Sequence, residues 1–193
     1  MGRVYEGVGE AWAAFNEGRN TRDRKTGKRV SFFRSELFSY TTCVARYQTA
    51  ESGDKYVIAT NRRYSMSTSS HISNCVGNCT VPVFYTYDIW AADNVILAAL
   101  VGSFNNAVID AVKGWKKVWW DWSYYLCHQY REIAEFCRLT GQEHGLLPIN
   151  EITASVQMDR EEKQAAFEDP KAVAKRERDY ARRQAKLALK IAA

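Results

Sequence analysis

The residues best equipped for chemistry lie in two hydroxyl-rich stretches, Ser39-Tyr40-Thr41-Thr42 and Tyr64-Ser65-Met66-Ser67-Thr68-Ser69-Ser70-His71. Hydroxyl groups at that density are too polar for an ordinary core. They can hold a phosphate, a base or a partner's backbone, or they can face a sheet and satisfy one another. Tyr40, Thr42, Tyr64, Ser65, Thr68 and His71 are therefore the first candidates, as a structural hydroxyl network or as a ligand site. Arg62 and Arg63 stand directly before Tyr64, and Arg34 and Arg46 fall on neighbouring strand-like segments. Arginines beside aromatics on a sheet are one way to hold single-stranded nucleic acid. No RNP-like aromatic motif accompanies them, and solvated arginines are the plainer account.

His71, Cys75 and Cys79 recur at i, i+4 and i+8, a spacing that aligns them on one helix face. A structural zinc site needs a fourth ligand, and only Cys127-His128 offers one. Buried free thiols are the simpler expectation, with no metal and no cofactor. A histidine after a Ser/Thr run can orient a hydroxyl nucleophile, but no Gly-x-Ser-x-Gly elbow is present. Gly7-Val8-Gly9 lacks the third glycine and the lysine of a phosphate loop. The chain is expected not to be an enzyme, with a hydrolase or nuclease centred on His71 as the minor alternative. A last unusual segment runs from Trp115 to Trp122. On a helix Trp115, Trp119 and Trp122 share a face and suit a core stripe, whereas Trp120 with Lys116 and Lys117 suits base stacking or a protein hot spot.

Charge is distributed unevenly. Arg19, Arg22, Arg24, Lys25, Lys28 and Arg29 crowd one short segment with a single acid, Asp23. From residue 171 onward Lys171, Lys175, Arg176, Arg178, Arg182, Arg183, Lys186 and Lys190 stand against Glu177 and Asp179. With a net charge of +5 for the whole chain, two basic ends flank a mildly acidic body. That arrangement permits nucleic-acid binding without demanding it. The 6 Trp, 11 Tyr and 8 Phe supply core area and also suit binding surfaces. Five cysteines, an odd number, and no apolar run in the first ten residues point to free thiols in a reducing cytoplasm. The longest apolar stretch, Val95 to Val101, is short for a bilayer, so a soluble protein without a membrane partner is expected.

Elements must position these groups. Residues 5–18 suit a short helix carrying Trp12 and Phe15, and Arg19 to Arg29 reads as an exposed loop. Val30 to Phe33, Leu37 to Tyr47 and Tyr56 to Ser67 are rich in the residues that strands favour. Glu51-Ser52-Gly53-Asp54 is a hairpin turn between the last two. Ser70 to Val76 reads as a short helix stopped by Gly77-Asn78. Val81 to Tyr87 is a strand or an extended linker, with Pro82 pointing to an edge. Asp88 caps a helical run to Val112, and a second run covers Trp115 to Leu139, ended by Gly141. Helix formers dominate from Thr153, broken at Asp169-Pro170, where Pro170 can open a final helix. The fold class is α+β: a small antiparallel β-sheet packed against a pair of aromatic-rich helices, with a basic C-terminal helix. Residues 1–147 form the globular domain (sheet about 30–87, helices about 88–140) and 148–193 a helical basic extension.

Gly9-Glu10-Ala11-Trp12, Ser39-Tyr40-Thr41-Thr42-Cys43-Val44-Ala45, Asn61 and the Tyr64–His71 run together resemble a small domain of unknown function found in phage and plasmid proteins. Its pattern reads Ser-Tyr-x-Thr-x-Ile-Ala, a hairpin, then Tyr-Ser-x-Thr-Thr-Ser-x-His. Here Val44 stands in the Ile position, and Ser67-Thr68 replaces the Thr-Thr pair. The likeness covers about a third of the chain and implies an origin rather than an activity. With that origin, the leading expectation is a non-catalytic phage-type accessory protein that binds and inhibits or modulates a host factor, as anti-CRISPR and other anti-defence proteins do. Its partner would be a host protein or ribonucleoprotein complex in the bacterial cytoplasm. The alternative is a nucleic-acid-binding protein that uses the basic ends and the Arg/Tyr/Ser face.

Overall fold

The computed structural model describes residues 11, 13–17, 21–26, 29–114 and 121–191, with the backbone alone at 21–26 and 184–191. Six strands follow one another: β1 (Thr21–Thr26), β2 (Val30–Arg34), β3 (Glu36–Ser39), β4 (Thr42–Thr49), β5 (Lys55–Thr60) and β6 (Val83–Thr86). The helices are α1 (Met66–Val76), between β5 and β6, then α2 (Asp93–Lys113), α3 (Trp122–Thr140), α4 (Ile149–Glu168) and α5 (Pro170–Ile191). A helical turn at 11 and 13–16 precedes the sheet. The fold is α+β.

The sheet order is β1-β2-β3-β4-β5-β6, so every strand lies beside its predecessor. The first five strands pair antiparallel and β6 pairs with β5 in parallel, which makes the sheet mixed rather than purely antiparallel. The parallel step follows from α1, because a crossover carrying a helix returns the chain in its original direction. Pro82, whose carbonyl accepts from Val57 N, immediately precedes this edge strand.

Four further expectations change. The basic segment 19–29 is not all loop: 21–26 forms β1, the opposite edge of the sheet. Leu37 to Tyr47 is two strands, because Ser39 pairs with Thr42 around a two-residue turn in which Tyr40 takes a φ of 57°. Phe33 and Glu36 close a similar turn around Arg34 at φ 53°. Both carry a positive φ at the first turn position, as tight hairpins with primed turns require. The strand expected through Ser67 stops at Thr60, and Ser65 caps α1 instead by accepting from Thr68 N. Asp88 does not open α2, whose first residue is Asp93. Its carboxylate accepts from Trp90 N and shapes the loop before the helix.

Other signals act as read. The β4–β5 hairpin turns through Gly53 at φ 88°, with Gly53 N donating to Ala50 O. Gly141 follows α3 at φ 70°. Pro170 opens α5, and the Asp169 carboxylate accepts from Lys171 N and Ala172 N to cap it.

The core covers both faces of the central strands. On one side Val30, Phe32, Leu37, Ala45, Tyr47, Val57 and Ala59 meet Phe15 and the Ile72, Cys75 and Val76 face of α1. Phe15 contacts Phe32 and Tyr47 edge-on at 5.5 and 4.9 Å. On the other side Phe136 of α3 packs edge-on against Phe84 at 4.9 Å and Tyr56 at 6.3 Å. Residues Tyr56 to Thr60 are all buried, as befits a strand covered on both faces.

The chain divides into two compact units, residues up to Ser103 with Gln129–Gly145, and Phe104–His128 with Leu146–Ala193. The division cuts through α2 and α3, whereas the sequence reading placed a single boundary near residue 147. Among the described helices α2 is the one long and apolar enough to cross a membrane by length and composition. About 28% of that apolar stretch is buried, and its buried residues Ile96, Leu97, Phe104, Ala107 and Ala111 recur at helical spacing.

Candidate functional site

The first candidate grouping is built around the N-terminus of α1. Ser65 has extended backbone and its Oγ lies 3.4 Å from Thr68 N, so it satisfies a donor the helix cannot satisfy internally. This places Thr68 and His71, three residues apart, on one face of α1 against the end of β3. There Ser39 Oγ lies 2.9 Å from His71 Nδ1 and donates to Thr68 Oγ1 at 3.3 Å, while Ser65 Oγ donates to the same Thr68 oxygen. With the Ser39 proton committed to Thr68, the ring contact is completed by Nδ1–H donating to Ser39. Burial, with the Arg29 charge second, lowers the pKa of His71 and keeps the ring neutral.

Ser39 is only 2% exposed. A hydroxyl shut from solvent, with its proton directed at another hydroxyl, is poorly placed to attack a substrate. The cluster ties the β3–β4 turn to α1. Tyr40, held in the left-handed region with its N donating to Arg29 O at 2.7 Å, lays its ring 5.7 Å from that of His71 and leaves 47% of itself to solvent.

The second grouping adjoins the first, since Thr42 pairs with Ser39 and Tyr64 precedes Ser65. Thr42, Cys43, Arg62, Tyr64, Tyr87, Asp88, Ile89 and Trp90 line a cleft of about 230 Å³. Two arginine–aromatic pairs frame it. Arg62 Nε donates to Tyr87 O at 2.7 Å and its guanidinium sits 4.2 Å from the centre of the Tyr87 ring. Arg46 Nε donates to Ile89 O, and its guanidinium lies 5.1 Å from the Trp90 ring. The carbonyls fix each arginine, so both planar cations are set in place before anything binds. Tyr87 is 69% and Trp90 55% exposed, an unusual outlay of aromatic surface at one cleft. The Cys43 thiol on the wall is pushed up to about 12 by burial, with Glu36 adding to the effect, and stays protonated.

The structure thus brings Ser65, Thr68 and His71 together with Ser39 and Tyr40, and separately gathers Thr42, Arg62 and Tyr64. Arg63 is exposed beside the cleft but does not line it. His71, Cys75 and Cys79 diverge: His71 meets Ser39, Cys75 is buried in the core with its thiol pushed up to about 12, and Cys79 contacts Asn16 and Tyr47. Among the described residues no three His, Cys, Asp or Glu side chains are placed to hold a metal ion. Lys116, Lys117, Trp120 and Lys28 lie outside the described residues. Arg22, Arg24 and Lys25 belong to edge strand β1, Arg29 is exposed just before β2, and Lys175, Arg178, Arg182 and Arg183 are exposed on α5.

Tyr87, Ile89 and Trp90 were missed as site residues. The available signal was Tyr87-Asp88-Ile89-Trp90 itself, two large aromatics flanking an Asp that can close a turn as readily as cap a helix. No protein-family model, curated protein or solved structure matches this chain.

Proposed function

We propose that the protein is a non-catalytic binding protein of phage type that engages and modulates a host factor through the cleft framed by Arg62–Tyr87 and Arg46–Trp90. The supporting observation is the pair of pre-set arginines stacked on exposed aromatics. Trp, Tyr and Arg dominate interface hot spots because each covers large area with few rotatable bonds and carries a directed polar group. The likeness of the Ser39–Ala45 and Tyr64–His71 motifs to a phage and plasmid domain supports the choice of a bacterial host partner, and hence a cytoplasmic setting.

The test is a pull-down from bacterial lysate with the wild-type chain and the Arg62→Ala/Trp90→Ala variant, with nuclease present. A stoichiometric protein captured by the wild type and lost by the variant supports the reading. Capture that persists in the variant, or that nuclease removes, refutes it. The second reading, nucleic-acid binding, draws on a different surface, the basic face of α5.

A further inference from the structure

The last two helices each carry an uncovered seam. On α4 one face holds Ala154, Met158 and Ala165, all exposed, with Met158 at 69%. The opposite face is the anchored one: Val156 is buried there, and the Arg160 guanidinium lies 5.4 Å from the centre of the Trp122 ring. On α5 Val173 and Tyr180 stand seven residues apart, and Leu187 continues that interval in the sequence. Tyr180 is 65% exposed, and none of residues 170–183 is buried. Helices in proteins draw most of their stability from packing one face, which α5 lacks over these residues. The two seams cannot cover each other within one chain. Asp169 alone separates the helices: its N donates to Ala165 O at the end of α4, and its O accepts from Val173 N at the start of α5. An antiparallel helix pair needs a connection of about two to five residues. The Asp169 cap on Lys171 N and Ala172 N fixes the corner, and Arg176 holds it, with its guanidinium 3.4 Å from the centre of the Phe167 ring and donating to Phe167 O.

We propose that the seams pair between two copies of this chain, α5 of each lying along α4 of the other. A hinge too short for a hairpin favours exchange of the same contact between copies, and a two-fold axis makes both contacts at once. The seams match in length. Eleven residues separate Ala154 from Ala165 and fourteen separate Val173 from Leu187, about 17 and about 21 Å at about 1.5 Å per residue. Charge selects the crosswise arrangement. Glu161, Glu162 and Glu168 border the α4 seam and are exposed, so two α4 helices face to face would repel and a nucleic acid is excluded there. Arg176 and Arg183 border one edge of the α5 seam and Glu177 the other, in a helix with a large excess of positive charge. The surface complementary to α4 is therefore carried by the chain itself, one connector residue away and out of its own reach, which selects a second copy as the occupant.

The experiment is sedimentation velocity of the full chain from about 1 to about 100 μM, a range over which mass action populates a dimer. The wild type should reach twice the 22.1 kDa chain mass. Inserting Gly-Ser-Gly-Ser between Glu168 and Asp169 keeps the Asp169 cap on α5 and gives the hinge a hairpin's length, so that α5 can fold back on its own α4. That variant should be monomeric, with the helix content of the wild type by circular dichroism. Val173→Ser/Tyr180→Ser should raise the dimer dissociation constant at least about tenfold, as loss of an interface hot spot does. The Arg62→Ala/Trp90→Ala cleft variant should dimerise as the wild type does, so this proposal and the host-factor reading stand or fall separately. A wild-type chain that stays monomeric throughout overturns the proposal. So does a hinge-lengthened chain or a seam variant that dimerises as tightly as the wild type, because the contact then lies elsewhere.

Discussion

Replacing Ser39 by Ala is the most direct probe of whether the Ser39–Thr68–His71 cluster is structural. Ser39 is 2% exposed and its Oγ reaches both His71 Nδ1 at 2.9 Å and Thr68 Oγ1 at 3.3 Å. Alanine fits the space but leaves two polar groups without their shared partner at a site with little room for water. Removing one partner of a buried hydrogen bond costs about 1–3 kcal/mol, so a loss of about 2 kcal/mol is expected. For a chain of this size that lowers Tm by about 4–8 °C. His71→Ala leaves Ser39 its bond to Thr68 and should cost about 1 kcal/mol. The two changes remove the same contact, so the double variant should cost about 2 kcal/mol rather than about 3. Thermal unfolding followed by circular dichroism measures all three. A Ser39→Ala protein with wild-type Tm, or strictly additive losses, would refute the reasoning.

The same cluster predicts a pH dependence. Burial and the Arg29 charge hold the His71 pKa below its ordinary value near 6.5, so on acidification the unfolded chain takes up the proton first. The stability carried by the neutral ring is fully present above about pH 6.5 and is lost as pH falls from there through the folded-state pKa. Unfolding scans across that window should show His71→Ala lacking this part of the acid sensitivity. Phe136→Ala removes a fully buried ring from contacts with Phe84 and Tyr56 and should cost about 3–5 kcal/mol in urea unfolding. A loss under about 1 kcal/mol would show that α3 does not dock there. Gly53→Ala meets no atom within 4 Å, so only its φ of 88° penalises the change, and a loss of about 1–2 kcal/mol is expected by the same assay. Cys75, buried and with its thiol pushed up to about 12, should resist a thiol reagent at mildly alkaline pH until the chain unfolds. Rapid native labelling at Cys75 would contradict its packing.

The sequence was most legible where one residue type has one structural use. Gly53 in the hairpin, Gly141 after α3 and Pro170 opening α5 all appear where their chemistry puts them, and the strand read as Tyr56 to Ser67 is found over its first part, ending at Thr60. It was least legible where residues serve two masters. Ser65 and Thr68 fit a strand by propensity, and only the cap contact to Thr68 N decides that they begin a helix. Tyr40-Thr41 contains none of the usual turn formers, yet neighbouring strand pairing forces Tyr40 into the left-handed region. β1 was hidden because an edge strand can be charged throughout, its pairing carried by backbone groups. The Trp90 cleft was hidden for a further reason. Its wall draws on β4, the segment after β5 and the loop after β6, and no local pattern records that meeting.

The strictly sequential order of the sheet bears on how the chain acquires its structure. Each strand adds to an edge made by the strand just synthesised, so β1 to β5 can assemble as successive hairpins over short loops while the ribosome still holds the rest. The step to β6 is different, because its parallel pairing waits for α1 to form and cross over. The Ser39–His71 contact closes 32 residues at that same step. Thr42 joins Tyr87 and Trp90 only after β6 is seated, so the binding cleft is among the last parts of the sheet unit to exist. A chain stalled before β6 would present an open strand edge and no cleft, a species exposed to aggregation and unable to bind.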